Sequence, residues 1–375
     1  MRKTSLKIAA VAVAFGLALT GCGGDKGGTP AADSKAKTAT SAADVGGMEE
    51  LIKLAKEEGS INVIALPDDW ANYGEMKKAF SEKYGIKVNS ILPDASSKEE
   101  IDAADKTKGT DKAPDVFDLG SAVALASIDH FAPYQVEVWD KIPAEHKEST
   151  GLWVHDYTGI MAVGYNATKF GEIKSLDELD DAKFKGQVAL NGKPTEAGAA
   201  FNGFLMLNNA NGGSFADFNP GIEYVTKLTK AGTFNLQDVT ASTIDSGQHG
   251  VVFDWTYNQA STQERLGSKG VDWKVFVPEG GEIASFYVQA INSDAPHPAA
   301  ARLWQEFLYS PEGQNIWLKG AARPVLFDVM EADGTLDTEA AAKLPSLSND
   351  PKTPTAEEQD AANEFLKANW DKAVS

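Results

Sequence analysis

The alternation of short apolar runs with helical segments is what most limits the folds open to this chain. SINVIAL at 60–66, GIKVNSIL at 85–92 and PDVFDLG at 114–120 are rich in β-branched residues. Between them lie segments with a helical apolar period. The first carries Met48, Leu51, Ile52, Leu54 and Ala55 and stops at Gly59; the second carries Met76, Phe80 and Tyr84. A third, around Glu99, Glu100, Ile101 and Ala104, leads into PDVFDLG. Such alternation predicts an α/β fold with a mostly parallel sheet. Ligands in these sheets sit beyond the carboxyl ends of the strands, so residues 68–73 and 118–121 are the first candidates for a site.

The pattern continues downstream. WVHDYTGIMAVGYN (153–166) has no helical period and fits a long strand or a hairpin. FKGQVAL (184–190) reads as a strand, and NGKPT (191–195) as a loop offering backbone N–H groups to a ligand. A helix is expected from Glu196 through Met206, with Thr195 as its N-cap. GVVFDWTY (250–257) predicts a buried strand ending on Asp254, Trp255 and Tyr257. WKVFV (273–277) and IASFYVQAI (283–291) are further strands. Ser310-Pro311-Glu312 starts a helix, and the polar tail closes on a last helix around 361–368.

The start of the chain is of another kind. Arg2, Lys3 and Lys7 precede thirteen uncharged residues, Ile8 to Thr20, which end at Leu19-Thr20-Gly21-Cys22. A basic stretch before an apolar run of this length predicts a signal peptide over 1–21, too short for the ~20 residues of a membrane span. The tetrapeptide resembles the bacterial lipobox, in which the cysteine is lipidated and becomes the mature N-terminus. Cys22 is the one cysteine of 375 residues, so no intramolecular disulfide competes for it. The alternative is cleavage at a small-residue site with Cys22 a bystander. Residues 23–47 are small and polar with balanced charges, which predicts a flexible linker behind the lipid. The protein is thus expected at the extracellular face of the cell membrane, or its periplasmic side where an outer membrane exists.

Charge narrows the partners. Losing residues 1–21 removes three positive charges from a formal net charge of −19, leaving −22 on an otherwise acidic body. Nucleic-acid binding needs Lys and Arg against phosphates, so such a partner is excluded. An acidic body is compatible with a cationic ligand, although acidity also serves solubility. The length allows two domains of ordinary size.

The order of the motifs carries a family resemblance. LIKLAKEEGSINVIAL, PDVFDLGS, DYTGIMAVGYN, FKGQVALNGKPTEAG, GVVFDWTYN and FLYSPEGQNIWLKGAARPV follow one another over residues 48–330. In that order they resemble the solute-binding proteins of ABC importers, in the branch with ferric-ion, thiamine and polyamine binders. The resemblance implies a two-lobed, periplasmic-binding-protein-like (type II) α/β fold with hinge strands near Asp156–Gly159 and Ile283–Tyr287. Lobe 1 would be 48–157 plus 284–330, lobe 2 would be 158–283, and the tail 331–375 would return to lobe 2. It implies a monomeric receptor without cofactor or metal, delivering a small solute to a permease and its ATPase subunits.

The substrate reading compares side chains. Ferric binders carry adjacent tyrosines where this chain has Asp254-Trp255, and an indole has no lone pair for Fe(III). Polyamine binders use aromatic walls and carboxylates against ammonium groups. The resemblance assigns Trp70, Tyr73, Trp255 and Tyr257 as walls and Asp69, Glu196 and Asp254 as charges; Ser121 and Tyr287 are further candidates. Tyr287 or a neighbour stands where polyamine binders have an acid. A polyamine-like cation is the first expectation; ferric ion, thiamine and an aminophosphonate stay open. Structural alternatives exist: Trp70 as a core cap, Asp68 and Asp69 as helix-start acids, Asp118 as a loop brace, Ser121 as a helix cap.

A lipid-anchored hydrolase is the reading from another class. No G-x-S-x-G or H-E-x-x-H occurs, and the five histidines (130, 146, 155, 249, 297) lack metal-ligand spacing. His155 and Asp156, adjacent in a strand, point to opposite faces. The separation of paired carboxylates, as in glycoside hydrolysis, cannot be read at this level; turnover distinguishes the two classes.

Overall fold

The computed structural model describes residues 35–344 and 351–375. The expected signal peptide and the expected lipidation at Cys22 fall outside the described residues.

Eight strands carry the architecture: β1 (Ser60–Ile64), β2 (Lys87–Ile91), β3 (Val116–Gly120), β4 (Val154–Asn166), β5 (Val188–Leu190), β6 (Val251–Trp255), β7 (Trp273–Phe276) and β8 (Ala284–Asn292). Their order in the sheet is β2-β1-β3-β8-β4-β6-β5, with β7 also on β4. β1 pairs in parallel with β2 and β3, and β5 with β6. Between these parallel halves run β8 and β4, antiparallel to each other and to β3 and β6. The result is a mixed α/β sheet rather than a mostly parallel one. The two central strands link both halves, and their pairing register shifts between His155 and Thr158. A bulge at such a place bends the strand.

The helices follow the apolar periods. α1 (Met48–Glu58) turns its Leu51, Leu54 and Ala55 inward and ends on Gly59 at φ 74, a left-handed cap that favours glycine. α2 (Tyr73–Tyr84) and α3 (Ser97–Thr107) flank the first half of the sheet; α4 (Gly198–Ala210), α5 (Asn219–Ala231) and α6 (Thr256–Gly267) flank the second. α7 (Pro298–Leu308) packs on α1, and α8 (Pro311–Lys319) begins with Ser310 accepting from Gly313 N–H. The last helix, α9 (Ala356–Ala373), is longer than its apolar period suggested. It packs on α5 through Phe365 against Phe218 and on the following loop through Trp370 against Phe234.

Two local expectations are corrected. The linker expected to run to Gly47 is ordered from residue 35 on: Ala42–Val45 is a short helix, and Ala36, Ala39, Ala42 and Val45 are buried. Arg302, only 1% exposed, holds this segment by donating from Nε to the Ala39 carbonyl (2.8 Å) and from Nη2 to that of Lys37 (2.9 Å). Small side chains let the segment lie close to α7, and a buried guanidinium needs those carbonyls. Thr195 is not an N-cap, because α4 starts later, with Ala197 at the cap position and no side-chain cap.

Candidate functional site

The carboxyl ends of β1, β3, β5 and β6 surround a cavity of about 230 Å³. Each strand delivers a residue to its rim or wall: Ala65 after β1, Asp118 in β3, Asn191 after β5 and Asp254 in β6. The start of α3 (Ser96, Ser97), the start of α4 (Ala197–Ala199) and one face of α6 (Asn258, Thr262, Arg265) complete it. Both halves of the sheet therefore contribute walls.

Of the expected site residues, Asp69, Trp70, Glu196, Asp254 and Tyr287 line this cavity. Trp70 and Tyr287 meet edge to face at 5.5 Å and form an aromatic corner. Tyr73, Trp255 and Tyr257 are buried beneath the cavity rather than forming its walls. The reason is packing: Trp255 lies parallel to Tyr257 at 6.1 Å and donates to Tyr287 Oη (3.3 Å), so it supports the corner from behind. Tyr257 fits only because Gly159 on β4 has no side chain; a Cβ there would lie 2.5 Å from the Tyr257 ring. Ser121 is outside the cavity, donating to the Phe286 carbonyl of β8 (2.9 Å).

Asp254 is the carboxylate most completely built into the wall. Its Oδ2 accepts from Asn191 Nδ2 (2.8 Å), its Oδ1 from Trp255 N–H (2.7 Å), and Asn258 Nδ2 reaches both oxygens (3.1 and 3.2 Å). Burial nonetheless pushes its carboxyl up to about 7. Asp118 across the cavity behaves alike: burial raises it to about 7, while Tyr73 and Tyr157 hydroxyls oppose the shift. Glu100, at the same place, is buried, which raises its carboxyl well above the ordinary value, and it accepts from Asp118 N–H (3.1 Å).

Two acceptors in this lining have no partner among the described residues: Asp118 Oδ1 and Asn258 Oδ1. The two basic residues of the lining are engaged by acids. Arg265 binds Asp69 (2.9 Å) and Asp245 (3.0 Å), and Lys193 binds Glu196 (3.3 Å) and Asp371 (3.6 Å). Asp69 and Glu196, assigned above to the ligand, are thus already paired. The lining has spare acceptors for a donor, and the first turn of α4, which has no side-chain cap, also borders it. Among the described residues no group of three or more His, Cys, Asp and Glu is placed to hold a metal ion.

Sequence reading did not assign Asn191, Asn258 or Arg265. Asn258 was within reach, since it follows Asp254 closely in sequence, in the first turn of α6. Arg265 was not, because its partner Asp69 lies 196 residues away.

Comparison with known proteins agrees with this geometry. A family model described as bacterial extracellular solute-binding protein matches residues 112–351. AfuA from Actinobacillus pleuropneumoniae, a periplasmic binding protein with fructose-6-phosphate bound, is 19% identical; the match covers 83% of this chain and 98% of that one, with a TM-score of 0.60. Iron-bound HitA from Pseudomonas aeruginosa is 19% identical over 83% of this chain and 98% of its own, with a TM-score of 0.56. A protein described as a spermidine/putrescine ABC transporter from Listeria monocytogenes is 14% identical over 83% and 99%, with a TM-score of 0.59. At these identities the likeness is one of fold. No curated protein sequence matches the chain.

Proposed function

The chain belongs to the bacterial extracellular solute-binding proteins, and from that premise we propose that it is an ABC-importer receptor for a small cationic, polyamine-like solute. A protein of this family captures its solute and is not an enzyme. The observation that carries the substrate class is the orphaned Asp118 Oδ1, a buried carboxylate oxygen in the cavity lining that only a donor can satisfy. An ammonium group supplies that donor together with a compensating charge, and the Trp70–Tyr287 corner suits an alkyl chain bearing it. A phosphate-bearing solute would find Lys193 and Arg265 already engaged.

In this reading residues 48–157 with 284–330 and residues 158–283 act as two lobes, joined by β4 and β8. Solute bound between them shifts an open–closed equilibrium by its better contacts in the closed form. The closed monomer then docks on the permease, and a lipid on Cys22 keeps it at the membrane; firm anchoring takes more than one acyl chain.

Thermal unfolding against putrescine, spermidine, thiamine, Fe(III), 2-aminoethylphosphonate and fructose 6-phosphate tests the reading. A ligand bound only by the native state raises the midpoint with concentration, by about 2.7 kcal/mol in stability at a hundredfold excess over Kd. A rise with the amines that Asp118→Asn and Asp254→Asn abolish is expected. A rise with the sugar phosphate or iron alone would keep the receptor and reject the cation.

A further inference from the structure

We propose that Ser60, His297 and Asp115 form a nucleophilic serine site at the opposite end of β1 from the cavity, where Ser60 Oγ accepts one acyl or phosphonyl group per chain from an activated ester or fluoride. The site is independent of which solute the cavity takes.

Three segments far apart in the chain meet there. Ser60 opens β1, Asp115 immediately precedes β3, and His297 immediately precedes α7. His297 Nδ1 lies 2.8 Å from Asp115 Oδ2, and its Nε2 lies 3.1 Å from Ser60 Oγ. An ionised carboxylate only accepts, so the neutral imidazole carries its proton on Nδ1 and turns the lone pair of Nε2 to the serine hydroxyl. Asp115 is itself held in place: its Oδ2 also accepts from Asn62 N–H (2.7 Å), its Oδ1 accepts from His297 N–H (2.7 Å), and it is wholly buried. A hydroxyl, a base within hydrogen-bond reach and a buried acid orienting that base are the arrangement that activates a serine on unrelated folds. No local motif announces it, because the three residues come together only in the folded chain.

The hydroxyl end is the open one. Asp115 is closed off, whereas Ser60 is half-buried and the His297 side chain keeps 17% of its surface exposed. Gly59, next to Ser60, is exposed, and a Cβ there would meet nothing nearer than the Lys56 carbonyl at 3.9 Å, so the chain beside the hydroxyl is bare. The charged groups facing the imidazole are acids: Asp115, Glu58 at the end of α1, and Asp111. The hydrogen bond to Asp115 lifts His297 above the ordinary imidazole value; burial opposes this, and the charges of Asp115, Glu58 and Asp111 add to it. His297 is therefore a stronger base than a free imidazole.

In the reaction Ser60 Oγ bonds to the carbonyl carbon or the phosphorus while its proton passes to His297 Nε2. The bond to the leaving group breaks, and the leaving group departs with that proton. The imidazole is neutral again and the serine is esterified. The Ala299 and Ala300 N–H groups beside the site already donate to Glu58 (2.9 and 2.7 Å) and do not serve an oxyanion, in keeping with a group taken up once rather than turned over.

Incubation of the full chain with an alkyl fluorophosphonate, followed by intact mass and peptide mapping, tests this. One adduct per chain on Ser60 is expected, at a rate that rises with pH as His297 loses its proton and then levels. Ser60→Ala, which removes one half-buried hydroxyl, should stay folded and take no label. His297→Gln should slow labelling about a hundredfold and remove the levelling from the pH profile. A network that only ties α7 to β1 would give neither the adduct nor the profile. No adduct at alkaline pH, an adduct on another residue, or an equal rate in folded His297→Gln overturns the proposal. Should His297→Gln fail to fold, the Ser60 mapping and the pH profile of the unaltered protein decide.

Discussion

Gly120, at the end of β3, and Gly198, at the start of α4, meet backbone to backbone. A Cβ on Gly120 would lie 2.7 Å from Gly198 Cα, and one on Gly198 would lie 2.9 Å from Gly120 Cα. The contact joins the two halves of the molecule, and Lys98 N–H donating to the Glu196 carbonyl (3.1 Å) continues it. Gly120→Ala should therefore act as a wedge at the seam. Overpacking of this kind costs roughly 1–3 kcal/mol, which in the two-lobe reading proposed above falls on the closed arrangement alone. The expected outcome is solute affinity weaker by about tenfold or more, with a larger radius of gyration in solution scattering and little change in unfolding midpoint. Unaltered affinity would mean that the two glycines need not touch for capture.

The cavity carboxyls make ligand-free stability depend on pH in an unusual direction. Asp118 and Asp254 are raised to about 7 in the folded protein against an ordinary 3.8, and Glu58 and Glu306 to about 7 against 4.5. The folded state binds more protons than the unfolded one between these limits. The contribution of these groups is thus fully present below about 4 and is lost as pH rises through about 7. Their share of the unfolding free energy should fall between pH 5 and 8, and Asp254→Asn should flatten its part of the slope. Denaturant titrations at the two pH values check this; an unchanged slope in the variant would count against the burial of Asp254.

Arg302 ties residues 35–47 to the body. In Arg302→Met the carbonyls of Lys37 and Ala39 lose their donor, as does that of Pro298, which accepts from Nη1. The expected loss is about 2–4 kcal/mol in stability, as for breaking a buried network, and hydrogen exchange at residues 35–47 should rise first. Uniform loss of protection across the molecule would show that the segment is not a separate unit.

Cys22→Ser tests the anchor proposed for the N-terminus. The variant should leave the detergent-rich phase on phase partitioning and appear in the soluble fraction, with unchanged solute binding. Retention in the membrane fraction would point to attachment by another route.

The elements of this fold were legible wherever apolar spacing alone settles them. The helices carrying Met48 to Ala55 and Met76 to Tyr84 and the Ser310-Pro311 helix start are local matters of period and cap, and the structure has them where the sequence puts them; the strand read over 60–66 forms over Ser60–Ile64. The order of the motifs likewise pointed to the family. Tertiary structure decided three things that local pattern cannot hold. It inserted β8 and β4 as antiparallel partners between two parallel halves, a consequence of which strands find each other across more than a hundred residues. It made the alanines at 36, 39 and 42 core residues, because Arg302, far along the chain, supplied the carbonyls of Lys37 and Ala39 in this segment with donors. And it sorted the candidate residues by depth: Trp255 and Tyr257 went under the cavity, Asp69 went to Arg265, and Asp118 came to its wall with one oxygen unpartnered. Residue type and spacing specify what a side chain can do. Only the packing around it determines which of its hydrogen bonds are already made, and therefore what is left for a ligand.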